Sequence, residues 1–158
     1  MASVGVIVVA AGGRYALTHM GSEPDQTSAT VTHSDAQWRS LLSPAAYQVL
    51  RHDATEPPYS SALLKEHRPG TFSCAGCANR LFDARTKYDS HTGWPSFWDV
   101  IPGALSRHED RSIGMSRTEV RCARCAGHLG HVFDDGPQPT GLRYCMNGVA
   151  MTFEPSTT

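Results

Sequence analysis

Apolar positions change their spacing near residue 70, dividing the chain into a short helical part and a longer β part. Upstream, Ser34 to Gln37 has the form of a capping box, Ser-x-x-Gln, and Trp38, Leu41 and Leu42 then fall on one helical face. Ser43-Pro44 repeats the start signal, an N-cap residue followed by proline at the first helical position. Ala46, Tyr47, Val49 and Leu50 give this second helix apolar surface up to Arg51. Pro57-Pro58 then forbids helix, so Thr55 to Ser61 is expected to run extended over the surface of the β part.

From Gly70 onward, brief apolar or β-branched pieces are separated by Gly, Pro, Asn and Asp, the pattern of a mainly β domain. The predicted strands are Thr71 to Ser73, Arg80 to Phe82, Ser96 to Val100, Leu105 to His108, Met115 to Arg121, His131 to Phe133 and Leu142 to Phe153. Asp134 to Gly141 is a loop by composition and delivers the chain into the last strand.

Residues 1–33 have no amphipathic period and are dominated by Ser, Thr, Gly and Ala. The Val6 to Ala11 run resembles a short signal-peptide core, but no positive residue precedes it. His19-Met20-Gly21-Ser22 looks like a cloning junction, which would make the first ~22 residues a foreign leader. Residues 1–33 are therefore read as a disordered or foreign arm, 34–155 as a single domain, and 156–158 as a tail.

The chain's 158 residues suffice for one domain with a real core. A formal charge of −1 leaves no basic excess to track a phosphate backbone, so nucleic acid is not an expected partner. No apolar run approaches the ~20 residues of a membrane span, so a soluble protein is expected. Nothing in the sequence demands more than a monomer.

The five cysteines change the picture. Cys74-Ala75-Gly76-Cys77 and Cys122-Ala123-Arg124-Cys125 share the two-residue gap that lets two sulfurs of one turn bind a single ion. Four thiolates suit tetrahedral Zn²⁺, one per chain, and a closed Cys₄ site is structural because no coordination position stays open. The wide separation of the pairs means that the ion would join two separate hairpins. Redox-active C-x-x-C pairs, or iron on the same thiolates, are the alternatives. An odd cysteine count does not resemble a secreted disulfide framework, and a reducing, cytoplasmic setting is the simpler one.

Cys145 alone lacks a partner across such a gap, which makes it the candidate nucleophile, the competing reading being an inert buried thiol. On a strand, Arg143, Cys145 and Asn147 share one face. A guanidinium there favours the thiolate, and an amide can orient a substrate oxygen or a water. His128 and His131 are candidate general acids. Three residues apart, they face opposite ways on a regular strand, so if both are to reach the thiol, Gly130 must break the pleat. Trp94, between Gly93 and Pro95, is better placed to wall a pocket than to fill a core.

Together these segments resemble one known family, the type B methionine sulfoxide reductases. The resemblance covers Trp38 through Phe153 and rests on Thr55-Glu56-Pro57-Pro58-Tyr59, both C-x-x-C pairs, Gly93-Trp94-Pro95-Ser96-Phe97, His128-Leu129-Gly130-His131-Val132-Phe133, Asp135-Gly136-Pro137 and Arg143-Tyr144-Cys145-Met146-Asn147. It implies two antiparallel sheets with short N-terminal helices, a structural zinc on Cys74, Cys77, Cys122 and Cys125, and a catalytic domain. It also implies thiol-dependent reduction of the R epimer of methionine sulfoxide through a sulfenic acid on Cys145. Trp94 would then pack on the substrate's ε-methyl group, with His128, His131 and Asn147 around the sulfoxide oxygen and Arg143 beside the thiolate. Oxidised proteins or peptides would be the substrates, and glutathione or a thioredoxin-type protein the reductant. Relatives often carry a second, resolving cysteine where Thr92 stands, a glycine at His91 and a serine at Gly148. Two rival readings remain: a zinc-stabilised binding module, and a Cys/His hydrolase that consumes no thiol.

Overall fold

The computed structural model describes residues 29–157. Two helices lead, α1 (Asp35–Leu41) and α2 (Pro44–His52). The Ser34 hydroxyl accepts the Gln37 N–H while the Gln37 side chain accepts the Ser34 N–H, so the capping box closes at both ends. Ser43 caps α2 in the same way through Ala46 N–H, with Pro44 in the first turn. The second helix buries Ala46, Tyr47, Val49 and Leu50, whereas the first buries Trp38 alone: Leu42, its C-cap, is also buried, but Leu41, expected on the same face, is exposed.

Nine strands come next: β1 (Gly70–Cys74), β2 (Arg80–Asp83), β3 (Lys87–Tyr88), β4 (Ser96–Phe97), β5 (Leu105–Asp110), β6 (Arg117–Cys122), β7 (His128–Phe133), β8 (Arg143–Met146) and β9 (Met151–Pro155). They form two antiparallel sheets, ordered β2-β1-β9 and β3-β4-β8-β7-β6-β5. One directly opposed aromatic pair from each sheet meets in the core. Phe72 and Phe82 come from the small sheet, Phe97 and Tyr144 from the large one. Phe82 stacks on Phe97 at 4.2 Å between centroids, and Phe72 meets Phe97 edge-on at 5.0 Å. Burying each such ring is worth ~1.5–3 kcal/mol, so this cluster is what holds sheet to sheet away from the cysteines.

The expectation that Leu142 to Phe153 is one strand is corrected. The chain leaves the large sheet after Met146, makes a 3₁₀ turn over Gly148–Ala150, and enters the small sheet as β9. The buried carboxylate of Glu56 imposes the break by accepting N–H bonds from Gly148 (2.5 Å) and Val149 (3.0 Å), groups that a continuing ladder would have used. Ser96 to Val100 also shortens, to Ser96–Phe97, and Lys87–Tyr88 is an unforeseen edge strand.

Contacts begin upstream of residue 34. Val31 N–H donates to the Arg124 carbonyl (2.9 Å), and His33 meets Trp38 edge-on at 4.6 Å. The readings of Val6 to Ala11 and of His19 to Ser22 lie outside the described residues. Among the described residues, no helix is long and apolar enough to cross a membrane.

Candidate active site

The polar face of the large sheet carries one continuous row of directly opposed residues, Tyr88–Ser96–Cys145–His131–Glu119, running across β3, β4, β8, β7 and β6. Opposed side chains on antiparallel strands share a face. The neighbouring row, Phe97–Tyr144–Val132, points into the core. Cys145 therefore faces away from the core, into a pocket of about 140 Å³ walled by Trp94, Arg117, His131, Phe133 and Asn147.

The two histidines reach one side through a β-bulge. Val120 opposes Gly130 while Arg121 opposes His128, so one step along β6 matches two along β7, with Leu129 the extra residue. The imidazoles end 5.7 Å apart. Glycine at 130 is required because a Cβ there would collide with the Cys145 carbonyl. His131 Nε2–H donates to Asp110 (2.8 Å), and Arg117 donates to the same oxygen at 2.6 Å. Burial pushes the His131 pKa down while the Asp110 hydrogen bond pulls it up. His128 does not line the pocket. It is buried behind the wall, its Nδ1 bound to Glu119 (2.5 Å) and its Nε2 unpartnered among the described residues.

Arg143 also stands back from the pocket. Its guanidinium is bidentate on Asp135 (2.8 and 2.9 Å) and lies over the Phe133 ring at 4.3 Å. Arg143 pulls the Cys145 pKa down as expected, but burial outweighs it and the net shift is upward. Burial pushes the thiol up, and the Arg143 charge and Thr92 hydroxyl only partly offset it. The Arg143 charge is already shared with Asp135, which limits what it can do for the sulfur.

Asn147 acts as a brace. Its Oδ1 accepts the Glu56 N–H (2.9 Å) and its Nδ2 donates to the Leu129 carbonyl (3.0 Å), which leaves one amide hydrogen for a ligand. Trp94 Nε1–H donates to the Glu56 carbonyl at 3.1 Å. Glu56 thus ties the Pro57-Pro58 segment to the indole wall, to Asn147 and to the turn after Cys145 at once. A Cβ on Gly148 would collide with the Ser61 hydroxyl, so Ser61 occupies the space that a side chain at 148 would need.

His91 has φ +57°, the left-handed region. Its side chain is 85% exposed and its bonds to Asp89 and Tyr59 include backbone ones that any residue keeps. His91→Gly is therefore expected to stabilise the fold by up to ~1 kcal/mol, partly offset by the freer unfolded chain. A lowered urea midpoint would contradict this.

The four remaining cysteines converge. Cys74 ends β1 and Cys122 ends β6, and each is followed by a tight turn that returns the second cysteine beside it. The sulfurs of Cys74 and Cys125 lie 3.7 Å apart and those of Cys77 and Cys122 3.5 Å, with all four within 4.8 Å of one another. Tetrahedral zinc with ~2.3 Å bonds needs sulfurs ~3.8 Å apart, so the set fits such an ion. Gly76 N–H and Asn79 Nδ2–H donate to sulfurs, as thiolates require. An ion here joins hairpin β1–β2 of one sheet to β6–β7 of the other.

A SelR domain model matches residues 42–155. The chain belongs to the SelR family. Within it, the chain is 51% identical over 132 residues to the peptide methionine sulfoxide reductase MsrB of Agrobacterium fabrum, covering 83% of this chain and 98% of that one. It is 53% identical over 130 residues to the MsrB of Bradyrhizobium diazoefficiens (82% and 94%), and 50% identical over 124 residues to that of Methanosarcina mazei (78% and 89%). This chain is thus a type B methionine sulfoxide reductase homologue over nearly the relatives' whole length. The SelR region contains every candidate residue named so far, together with Asp110, Arg117, Glu119 and Glu56, which sequence reasoning did not pick out. A signal for two of them was present: Arg117, Glu119 and Arg121 alternate with Thr118 and Val120, a period-two charged face on a strand.

Proposed function

We propose that this protein reduces the R epimer of methionine sulfoxide in peptides or proteins, through a sulfenic acid on Cys145. The observation that carries the reading is the direct opposition of Cys145 and His131 across the β7–β8 ladder, at the floor of a pocket walled by Trp94. The Cys145 thiolate attacks the sulfoxide sulfur and the His131 imidazolium gives its proton to the oxygen. Methionine leaves as that oxygen passes to Cys145, making Cys–SOH. Two external thiols then return Cys145 to the thiol, with release of water and their own disulfide. Trp94 receives the ε-methyl group, and Asn147 offers its spare amide hydrogen to the oxygen. A tetrahedral sulfur whose oxygen, methyl and attack face are all assigned admits one hand, and the R hand is that of the type B family.

Zn²⁺ is the ion proposed for the four cysteines, where it is structural. No cysteine then remains to resolve the sulfenic acid, because Thr92 stands at the position in question. A small thiol or a thioredoxin-type protein is the reductant.

The test is turnover of separate R and S epimers of a blocked methionine sulfoxide with excess dithiothreitol, beside Cys145→Ser. Consumption of R alone, lost in the variant, is expected. One turnover without reductant should add a single oxygen to Cys145 in the mass spectrum. Consumption of S, activity in Cys145→Ser, or loss of two hydrogens between Cys145 and another cysteine would each contradict the corresponding step.

A further inference from the structure

Oxidised methionine is the proposed substrate, and the protein displays a methionine of its own. Among the described residues, Met146 and Met151 are buried, whereas Met115 is 58% exposed. It stands in the turn between β5 and β6, in the run Ser112-Ile113-Gly114-Met115-Ser116. That run carries no charge, and the charges at its base are paired, Arg117 with Asp110 (2.6 Å) and Arg111 with Glu109 (2.8 Å). The Ser112 N–H and the Ser116 hydroxyl donate to the same two carboxylates, at 2.9 and 3.0 Å. Ile113 is exposed beside Met115, and a Cβ added to Gly114 would meet nothing within 4 Å. The hairpin therefore ends in a neutral, apolar projection whose thioether is open to dissolved oxidants.

The pocket over Cys145 suits that shape. At about 140 Å³ it has room for one side chain, so in a folded protein only a methionine standing clear of its neighbours can enter. Met115 does not reach the pocket of its own chain. Glu119 lies in the row of Cys145 two strands away, and Met115 precedes Glu119 by four positions. At ordinary sheet spacings that is about 10 Å across the strands and about 13 Å along them, a gap of about 16 Å that the two side chains cannot span.

We propose that Met115 is an oxidation site at which the protein is its own substrate, a second copy reducing the R epimer of its sulfoxide. A hydroperoxide transfers one oxygen to the thioether: its O–O bond breaks, the S–O bond forms, the sulfur is oxidised, and the peroxide leaves as alcohol or water. Cys145 of the second copy takes that oxygen by the reaction given above, and two external thiols release it as water. Each round consumes one hydroperoxide and two thiols and leaves Met115 as it began. The rounds are finite. An exposed thioether is open on both faces, so each oxidation sends about half of Met115 to the S epimer, which this site does not reduce. The inference rests on the sulfoxide reductase reading.

The test takes metal-loaded Cys145→Ser as the substrate and a small molar fraction of wild type as the catalyst. Trypsin releases Ser112–Arg117, in which Met115 is the only methionine. Hydrogen peroxide is expected to add one oxygen to this peptide ~10-fold or more faster than to those carrying Met146 and Met151, with the unfolding midpoint unchanged. After peroxide is removed and dithiothreitol added, wild type should strip the oxygen from about half of the peptide, and Cys145→Ser alone from none. Oxidation of Met115 no faster than that of Met146 would overturn the site. Oxygen retained in full, beside wild type that consumes the blocked R sulfoxide, would overturn the repair. Failure on the blocked R sulfoxide as well refutes the reductase reading and the repair with it, while the order of oxidation still decides whether Met115 is the site.

Discussion

Replacing Cys122 with serine is expected to release the metal and unfold the domain. Cys122 is fully buried where β6 ends, and its sulfur lies 3.5 Å from that of Cys77 in the other sheet's hairpin. A serine hydroxyl is a poor zinc ligand, and three thiolates in so tight a cluster repel one another once the cation is weakly held. Structural zinc contributes ~10–16 kcal/mol in small domains, against a total stability of ~5–15 kcal/mol for a typical one. The consequences spread, because the N-terminal helices rest on the same turns: Arg51 donates to the Cys125 carbonyl at 2.9 Å, and Leu50 packs against Gly127. Metal content per chain and urea unfolding of wild type, Cys122→Ser and chelator-treated wild type would check this. A metal-free variant with the wild-type unfolding midpoint would remove the ion from the account of stability.

Features set by neighbours in sequence were legible, and features set by distant partners were not. Ser34 and Ser43 announce their helices because a cap acts within four residues, and the C-x-x-C gaps announce their turns for the same reason. The mainly β reading of residues after Gly70 rests on turn residues, which are also local. Register is not local. Nothing in the residues around Ser96 says that it opposes Cys145, and nothing near Gly148 but the glycine itself hints at a break that Glu56 imposes from 92 positions away. The histidine pair lies between these cases. Gly130 marked the place where the pleat had to fail, and the structure puts the extra residue next to it, at Leu129. Asp110 was hidden, and the alternation that marks Glu119 did not name its partner, because a carboxylate on a strand reads as solvated surface until the facing strand is known. The sign of the Cys145 shift was missed for a related reason, since the burial that pushes it up, against the pull of the Arg143 charge, comes from strands and loops distant in sequence.

After the nucleophile itself, the largest kinetic effect is expected at His131, and the pH profile tests it. The proposed reaction needs Cys145 as thiolate and His131 as imidazolium. Burial holds His131 below its ordinary ~6.5 and Cys145 above its ordinary ~8.5. The reactive pair therefore has the two pKa values in reverse order. As pH rises between them, thiolate is gained at the rate at which imidazolium is lost, so the reactive fraction is small and flat. It falls in acid below the His131 pKa, where protons take thiolate while imidazolium is already saturated, and in alkali above the Cys145 pKa, where imidazolium alone is lost. Wild-type kcat/KM for the R sulfoxide should show this broad plateau. His131→Gln should lower it ~100-fold or more at pH 7 and replace the plateau with a continuous rise, because only the thiolate then titrates. Asp110→Asn removes the group that pulls His131 up and leaves Arg117 beside it, so the acid limb moves to lower pH and the plateau sinks about tenfold for each unit of that shift. A His131→Gln profile that keeps the wild-type plateau would transfer the proton donor's role elsewhere, first of all to His128, whose Nε2 is buried and unpartnered among the described residues.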